Sequence, residues 1–227
     1  GDGINRATTD SLKIGAEDLD GHALNTPLDV RITRLQAPDM PLRGRLWERP
    51  DMPVITPQQH KALFPQDVYG DEDDPLTWPR EAVVLERKGW LARGKAFDLS
   101  EARQWDVGMY LVEASARDAD GHAVNLRKAV AVYDPGVLHT GFVNDAFHVQ
   151  PVETEAEPGG KAKLLLSSAL PEARILMEVE RGGRIALRRW FTLKNAQQLV
   201  ELSVQEADRG GFTVHFIGTE RGRRERL

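Results

Sequence analysis

The feature that most constrains this chain is a two-residue alternation of apolar and polar side chains, repeated in nearly every ordered stretch. Leu28, Val30 and Ile32 alternate with Asp29, Arg31 and Thr33. Tyr110, Val112, Ala114 and Ala116 share one face, while Leu111, Glu113, Ser115 and Arg117 share the other. Ile175, Met177 and Val179 repeat the pattern, as do Val200, Leu202 and Val204, and then Phe212, Val214 and Phe216. Successive side chains of a strand point to opposite faces, so each segment reads as a half-buried antiparallel strand. Turn chemistry separates them. Arg181-Gly182-Gly183-Arg184 offers the paired glycines of a two-residue hairpin, and Pro158-Gly159 and Asp208-Arg209-Gly210-Gly211 punctuate in the same way. An octapeptide, Asp18-Leu19-Asp20-Gly21-His22-Ala23-Leu24-Asn25, returns as Asp118-Ala119-Asp120-Gly121-His122-Ala123-Val124-Asn125. Its flanks do not repeat, so the echo reads as reused turn chemistry rather than a duplicated domain.

One segment breaks the pattern. Residues 36–80 hold eight of the thirteen prolines, and proline removes a ladder donor, so this stretch cannot supply central strands. A short helix is predicted at Pro57–Phe64, with Thr56 as its cap, Pro57 at the first helical position and Gln59 completing a capping box. The rest reads as a long excursion anchored by Trp47, Phe64, Tyr69 and Trp78. A boundary is predicted after Tyr133, at Asp134-Pro135-Gly136, with Asp134–Ala146 as the linker and alternation resuming near Phe147. The expected fold class is all-β. Two antiparallel β-sandwich domains of immunoglobulin or fibronectin type are expected at residues 1–135 and 144–227, the first carrying the proline-rich insertion and the one short helix. A chain of 227 residues suits two domains of ordinary size.

The residues argue against chemistry. No cysteine is present, which removes disulfides, zinc-thiolate sites, cysteine nucleophiles and any cysteine-built thioester. A net charge of −5 gives no electrostatic reason to expect nucleic acid. No apolar run is long enough to span a bilayer and none reads as a signal peptide, so membrane contact by this segment is not expected. The acidic run Asp71, Glu72, Asp73 and Asp74 offers oxygen ligands, but four consecutive carboxylates diverge and are expected to be a solvated loop. The two Asp-x-Asp-Gly turns lack the later glutamate of a calcium loop, and His22 and His122 are expected to be exposed. The six histidines form no zinc motif. Gly159-Gly160-Lys161-Ala162 lacks the upstream glycine and following hydroxyl residue of a phosphate loop. No cofactor, metal site or catalytic residue is therefore expected. The candidate contact residues are Trp47, Trp78 and Trp90, whose indoles could stack on sugars or anchor a partner if exposed.

In the second half, Glu157-Pro158-Gly159-Gly160-Lys161-Ala162, the strand Ala173–Arg181 ending Val179-Glu180-Arg181-Gly182-Gly183, and the closing strand Gly211–Gly218 together resemble a macroglobulin-like domain of bacterial alpha-2-macroglobulins. In the first half, Trp105-Asp106-Val107-Gly108-Met109-Tyr110 and Arg117-Asp118-Ala119-Asp120-Gly121 are similar to that family's recurrent strand and turn. Arg45-Leu46-Trp47 through Pro50-Asp51, and Phe64-Pro65, resemble an insertion of its large envelope members. The resemblance implies macroglobulin-like sandwiches acting as a non-catalytic scaffold in an endopeptidase inhibitor. The expected location is the cell envelope, periplasmic or extracellular, with a lipid-anchored parent protein as one option. The implied partners are neighbouring domains of the same polypeptide, and proteases through the full-length protein. A carbohydrate-binding or adhesion module of a surface protein is the alternative, with the tryptophans as its platform.

Overall fold

The computed structural model describes residues 3–9, 11–18, 20–45, 47–91, 96–118, 120–139, 147–220 and 223–226, with side chains through Gly218. The fold is all-β. The chain divides into two units, one made of Asp2–Ala37 and Asp74–Asp134, the other of Gly1, Pro38–Asp73 and Pro135–Leu227. The excursion expected as an insertion of the first domain is thus grouped with the second half of the chain.

In the first unit the strands are β1 (Gly3–Asn5), β2 (Ser11–Leu12), β3 (Ala16–Glu17), β4 (Ala23–Leu24), β5 (Pro27–Leu35), β6 (Arg80–Leu91), β7 (Phe97–Asp98), β8 (Gly108–Arg117) and β9 (Ala123–Tyr133). A five-stranded sheet runs β1-β9-β8-β5-β6. The alternation decides its faces: Leu28, Val30 and Ile32 of β5 and Tyr110, Val112 and Ala114 of β8 are buried in one cluster. That cluster is covered by Phe97, Leu99, Ala102 and Trp105. Among the described residues, the covering layer is not a second full sheet. It consists of short pairs, β2–β7 and β3–β4, and a 3₁₀ turn at Ser100–Gln104. Trp105 stacks on Tyr110 at 5.3 Å, and the Tyr110 hydroxyl donates to the Asp106 carbonyl at 2.8 Å, so the buried phenol keeps a partner. On the opposite face Leu35 and Leu111 lie beneath Trp78. β1 pairs with β9 in parallel, Gly3 opposite Ala131, a departure from the antiparallel expectation. A three-residue strand with one apolar side chain carries no alternation from which direction could be read.

In the second unit the strands are β10 (His148–Glu153), β11 (Lys161–Ser168), β12 (Ala173–Arg181), β13 (Arg184–Leu193), β14 (Ala196–Ser203), β15 (Thr213–Glu220) and β16 (Arg223–Arg226). A three-stranded sheet, β10-β11-β14, faces a four-stranded sheet, β13-β12-β15-β16. Phe147, Leu166, Val200 and Leu202 from one side meet Ile175, Met177, Val179, Phe191 and Phe216 from the other. Each such side chain, fully buried, contributes about 1.5–3 kcal/mol. The β12–β13 hairpin turns at Gly182 and Gly183, with φ of 55° and 74°, the positive values its two central positions require. On β15, opposite Ile175, a Cβ placed on Gly218 would lie 2.7 Å from the Phe147 ring, so glycine leaves the room that ring occupies. Of the expected linker, residues 140–146 lie outside the described residues. So does Arg221, while the Arg223–Arg226 backbone forms β16 against β15.

Candidate functional site

The excursion folds through its own polar contacts. The predicted helix is present as α1 (Pro57–Leu63), with the Thr56–Gln59 capping box formed and Phe64 as its C-terminal cap. It buries none of its residues. Its neighbours are tied across the segment: the Arg43 N–H donates to the Gln66 carbonyl at 2.6 Å, and the Arg43 guanidinium holds Asp67 at 2.5 Å. Val68 is buried, and the Tyr69 hydroxyl donates to the Ile55 carbonyl at 2.8 Å. The His60 ring lies 5.5 Å from Phe64 and 5.1 Å from Tyr69. These ties enclose a pocket of about 540 Å³ lined by Trp47, Pro53, Val54, Phe64, Tyr69, Arg45 and Arg49, among others.

Trp47 is the functional candidate that this pocket presents, with 73% of its surface exposed. It does not serve as the buried anchor expected of it, and neither does the exposed Phe64. Backbone and ion-pair ties around Arg43 hold the loop instead, leaving these rings free to line a cavity. The other two candidates have structural seats. Trp78 is 6% exposed in the small cluster with Leu35 and Leu111. Trp90 is half-buried and meets Phe97 edge-on at 5.1 Å. Burial removes Trp78 as a stacking platform, and Trp90 keeps only part of its ring accessible.

The pocket's charge is what sequence reading missed. Arg45 is half-buried, and its Nε, shielded from solvent, has no hydrogen-bond partner among the described residues. Arg49 reaches Asp71 only at 3.8 Å, with both side chains largely exposed. A legible signal existed: Arg43, Arg45, Trp47 and Arg49 recur at every second position. A guanidinium fork beside an indole and a phenyl ring can take an anionic oxygen group carried on an apolar or ring-shaped body. The lining side chains include no hydroxyl or thiol nucleophile other than the Tyr69 phenol, and that phenol donates to Ile55. The arrangement is suited to binding.

The acidic run is spent on local structure. Glu72 accepts from the Tyr69 and Gly70 N–H groups at 3.2 and 2.7 Å, and Asp74 caps the 3₁₀ turn Pro75–Thr77 through the Leu76 N–H at 2.9 Å. The two Asp-x-Asp-Gly-His turns close the β3–β4 and β8–β9 hairpins with matching geometry. Asp18 accepts from the Asp20 and His22 N–H groups at 3.0 and 2.8 Å, Asp118 from Asp120 and His122 at 3.0 and 2.7 Å. The His22 N–H, with help from its ring, holds the Asp18 carboxyl below the usual carboxylate range. Both histidines are exposed, as expected. The side chains of each turn could converge on a cation, yet their hydrogen bonds already account for the geometry as turns.

No family model matches this chain. No curated protein matches it either. Among solved structures it is similar to a tetra-tandem repeat in the extending region of a large adhesion protein, at 13% identity and a TM-score of 0.25. That match covers 90% of this chain, which spans 41% of the other.

Proposed function

We propose that this chain is a non-catalytic structural module of an alpha-2-macroglobulin-like protein of the cell envelope, contributing β-sandwiches to a protease-trapping scaffold. The supporting observation is where the family-like residues fall. Glu157-Pro158-Gly159-Gly160-Lys161-Ala162 makes the turn that opens β11, and Val179-Glu180-Arg181-Gly182-Gly183 makes the β12–β13 hairpin. These motifs carry turn geometry and strand starts, which is the work of a frame rather than a reaction centre. The test is the parent protein. It should carry several further β modules, and when mixed with an endopeptidase it should reduce cleavage of a large protein substrate more than of a small peptide. A parent consisting of this chain alone, or one that leaves both activities untouched, would overturn the proposal.

A second reading is favoured by the pocket: a module that binds an acidic carbohydrate, with Trp47 stacking on a sugar ring and Arg45 meeting its carboxylate. Titration of tryptophan fluorescence with a uronate-containing polysaccharide should give a saturable change that Arg45→Ala weakens, and a neutral polysaccharide should give much less. No change with either polymer removes this reading.

A further inference from the structure

β13 is the outer strand of the four-stranded sheet, hydrogen-bonded to β12 on one side and to no described strand on the other. It is ten residues long, nearly twice an ordinary strand. Long open edges are usually shortened, bulged or masked because their free N–H and C=O groups template a further strand. The one irregularity here lies near the hairpin, between Val179 and Glu180 of β12, and leaves Leu187–Leu193 in regular register.

The side chains along this edge have a definite order. At its centre stand Leu187, Arg188, Arg189 and Trp190, all exposed, with Trp190 at 59% and Leu187 at 45%. Trp190 lies opposite Leu176 on β12, which lies opposite Ile217 on β15, so an apolar row crosses that face of the sheet and ends at the edge. Arg174 stacks over the Trp190 indole at 5.2 Å. Arg189 lies over Phe191 at 4.8 Å, and among the described residues it has no carboxylate partner. Arg188 gives its Nε to Glu178 at 2.7 Å while 66% of its side chain stays exposed. No acidic residue occurs anywhere on β13.

We infer that the β13 edge accepts an extended acidic peptide as an added strand, reading an apolar–acidic–acidic–apolar sequence. Backbone hydrogen bonds supply the affinity of strand addition, and cross-strand side chains supply its selectivity. The adjacent Arg188 and Arg189 point to opposite faces, so two consecutive carboxylates on the incoming strand meet one arginine on each face. The flanking apolar residues meet Leu187 and Trp190. Because that order is the same in either direction, parallel and antiparallel addition satisfy it alike. A second copy of this chain is the wrong occupant, since β13 against β13 sets arginine pairs against arginine pairs. Arginines on an edge can also act only to repel other strands; that role places no value on a peptide's acidic pair and is separated by the test.

The probe is a synthetic peptide with a Val-Glu-Glu-Val centre, compared with its Val-Lys-Lys-Val counterpart, added to the whole chain. Amide exchange at 184–193 should slow with the acidic peptide alone, and binding should weaken as salt rises. Arg189→Glu and, separately, Trp190→Ala should each lower affinity by about ten-fold or more with the melting temperature unchanged. Three results would overturn the inference: no protection of β13, equal protection by the lysine peptide, or protection that depends on protein concentration without any peptide.

Discussion

Ile175 is fully buried between the two sheets of its unit, opposite Phe191 and beside Met177 and Val179. A carboxylate there finds no partner, so Ile175→Asp should cost on the order of 3 kcal/mol or more, read as a fall in the denaturation midpoint. That position was legible because alternation assigns its face. The tryptophans were not legible in the same way. Trp47 and Trp78 both lie in proline-rich sequence without apolar alternation, so no strand face separates the exposed ring from the buried one; neighbours distant in sequence decide it. Two phenols add a pH signature. Burial pushes Tyr110 and Tyr133 above the ordinary value of 10.0. The neutral forms are favoured in the folded chain, so this contribution is intact below about pH 10, the unfolded value. It is lost as pH climbs toward and through the raised folded values. Tyrosinate absorbance should show these two rings ionising late, and stability should begin to fall above about pH 10. Ionisation of Tyr110 and Tyr133 at the ordinary value would contradict it.

Hairpins are the elements that sequence conveys best, since glycine pairs state their backbone geometry outright. Replacing Gly182 and Gly183 together by valine forces a β-branched residue into positive φ at both centres of the β12–β13 turn. The melting temperature should drop clearly, and an unchanged melt would mean that the hairpin is not formed as described. Helix α1 was equally legible, through its capping box. Because it buries no side chain, its persistence rests on that cap and on local contacts. Thr56→Ala should remove about 1 kcal/mol of local helix stability, seen as faster amide exchange over Pro57–Leu63 with little effect on the sandwich strands. What could not be read was neighbour order. Alternation identifies β13 as a strand, but its place at the rim of the sheet is fixed by which distant strands pair with β12. The parallel attachment of β1 to β9 and the patchy layer over the five-stranded sheet escaped for the same reason.

At the scale of the whole chain, each unit encloses its own apolar cluster, one around Val30, Ile32 and Val112, the other around Ile175, Met177 and Phe216. Unfolding caused by Ile175→Asp should therefore leave slow exchange in β5 and β8 while abolishing it in β11 and β12, measured on the full chain. Loss of protection throughout would show that the units stand or fall together. The chain's excursion has a further consequence. β5 and β6 pair directly, Leu35 opposite Arg80, and the Gln36 N–H donates to the Pro79 carbonyl at 2.9 Å where the proline-rich stretch departs and returns. Its two roots are already fastened side by side, so whatever is strung between them pays little closure entropy that depends on length. Such a hairpin is a socket: descendants of this gene can exchange one loop cassette for another, and with it the cavity it carries, while the strand pairing at the socket is left as it was.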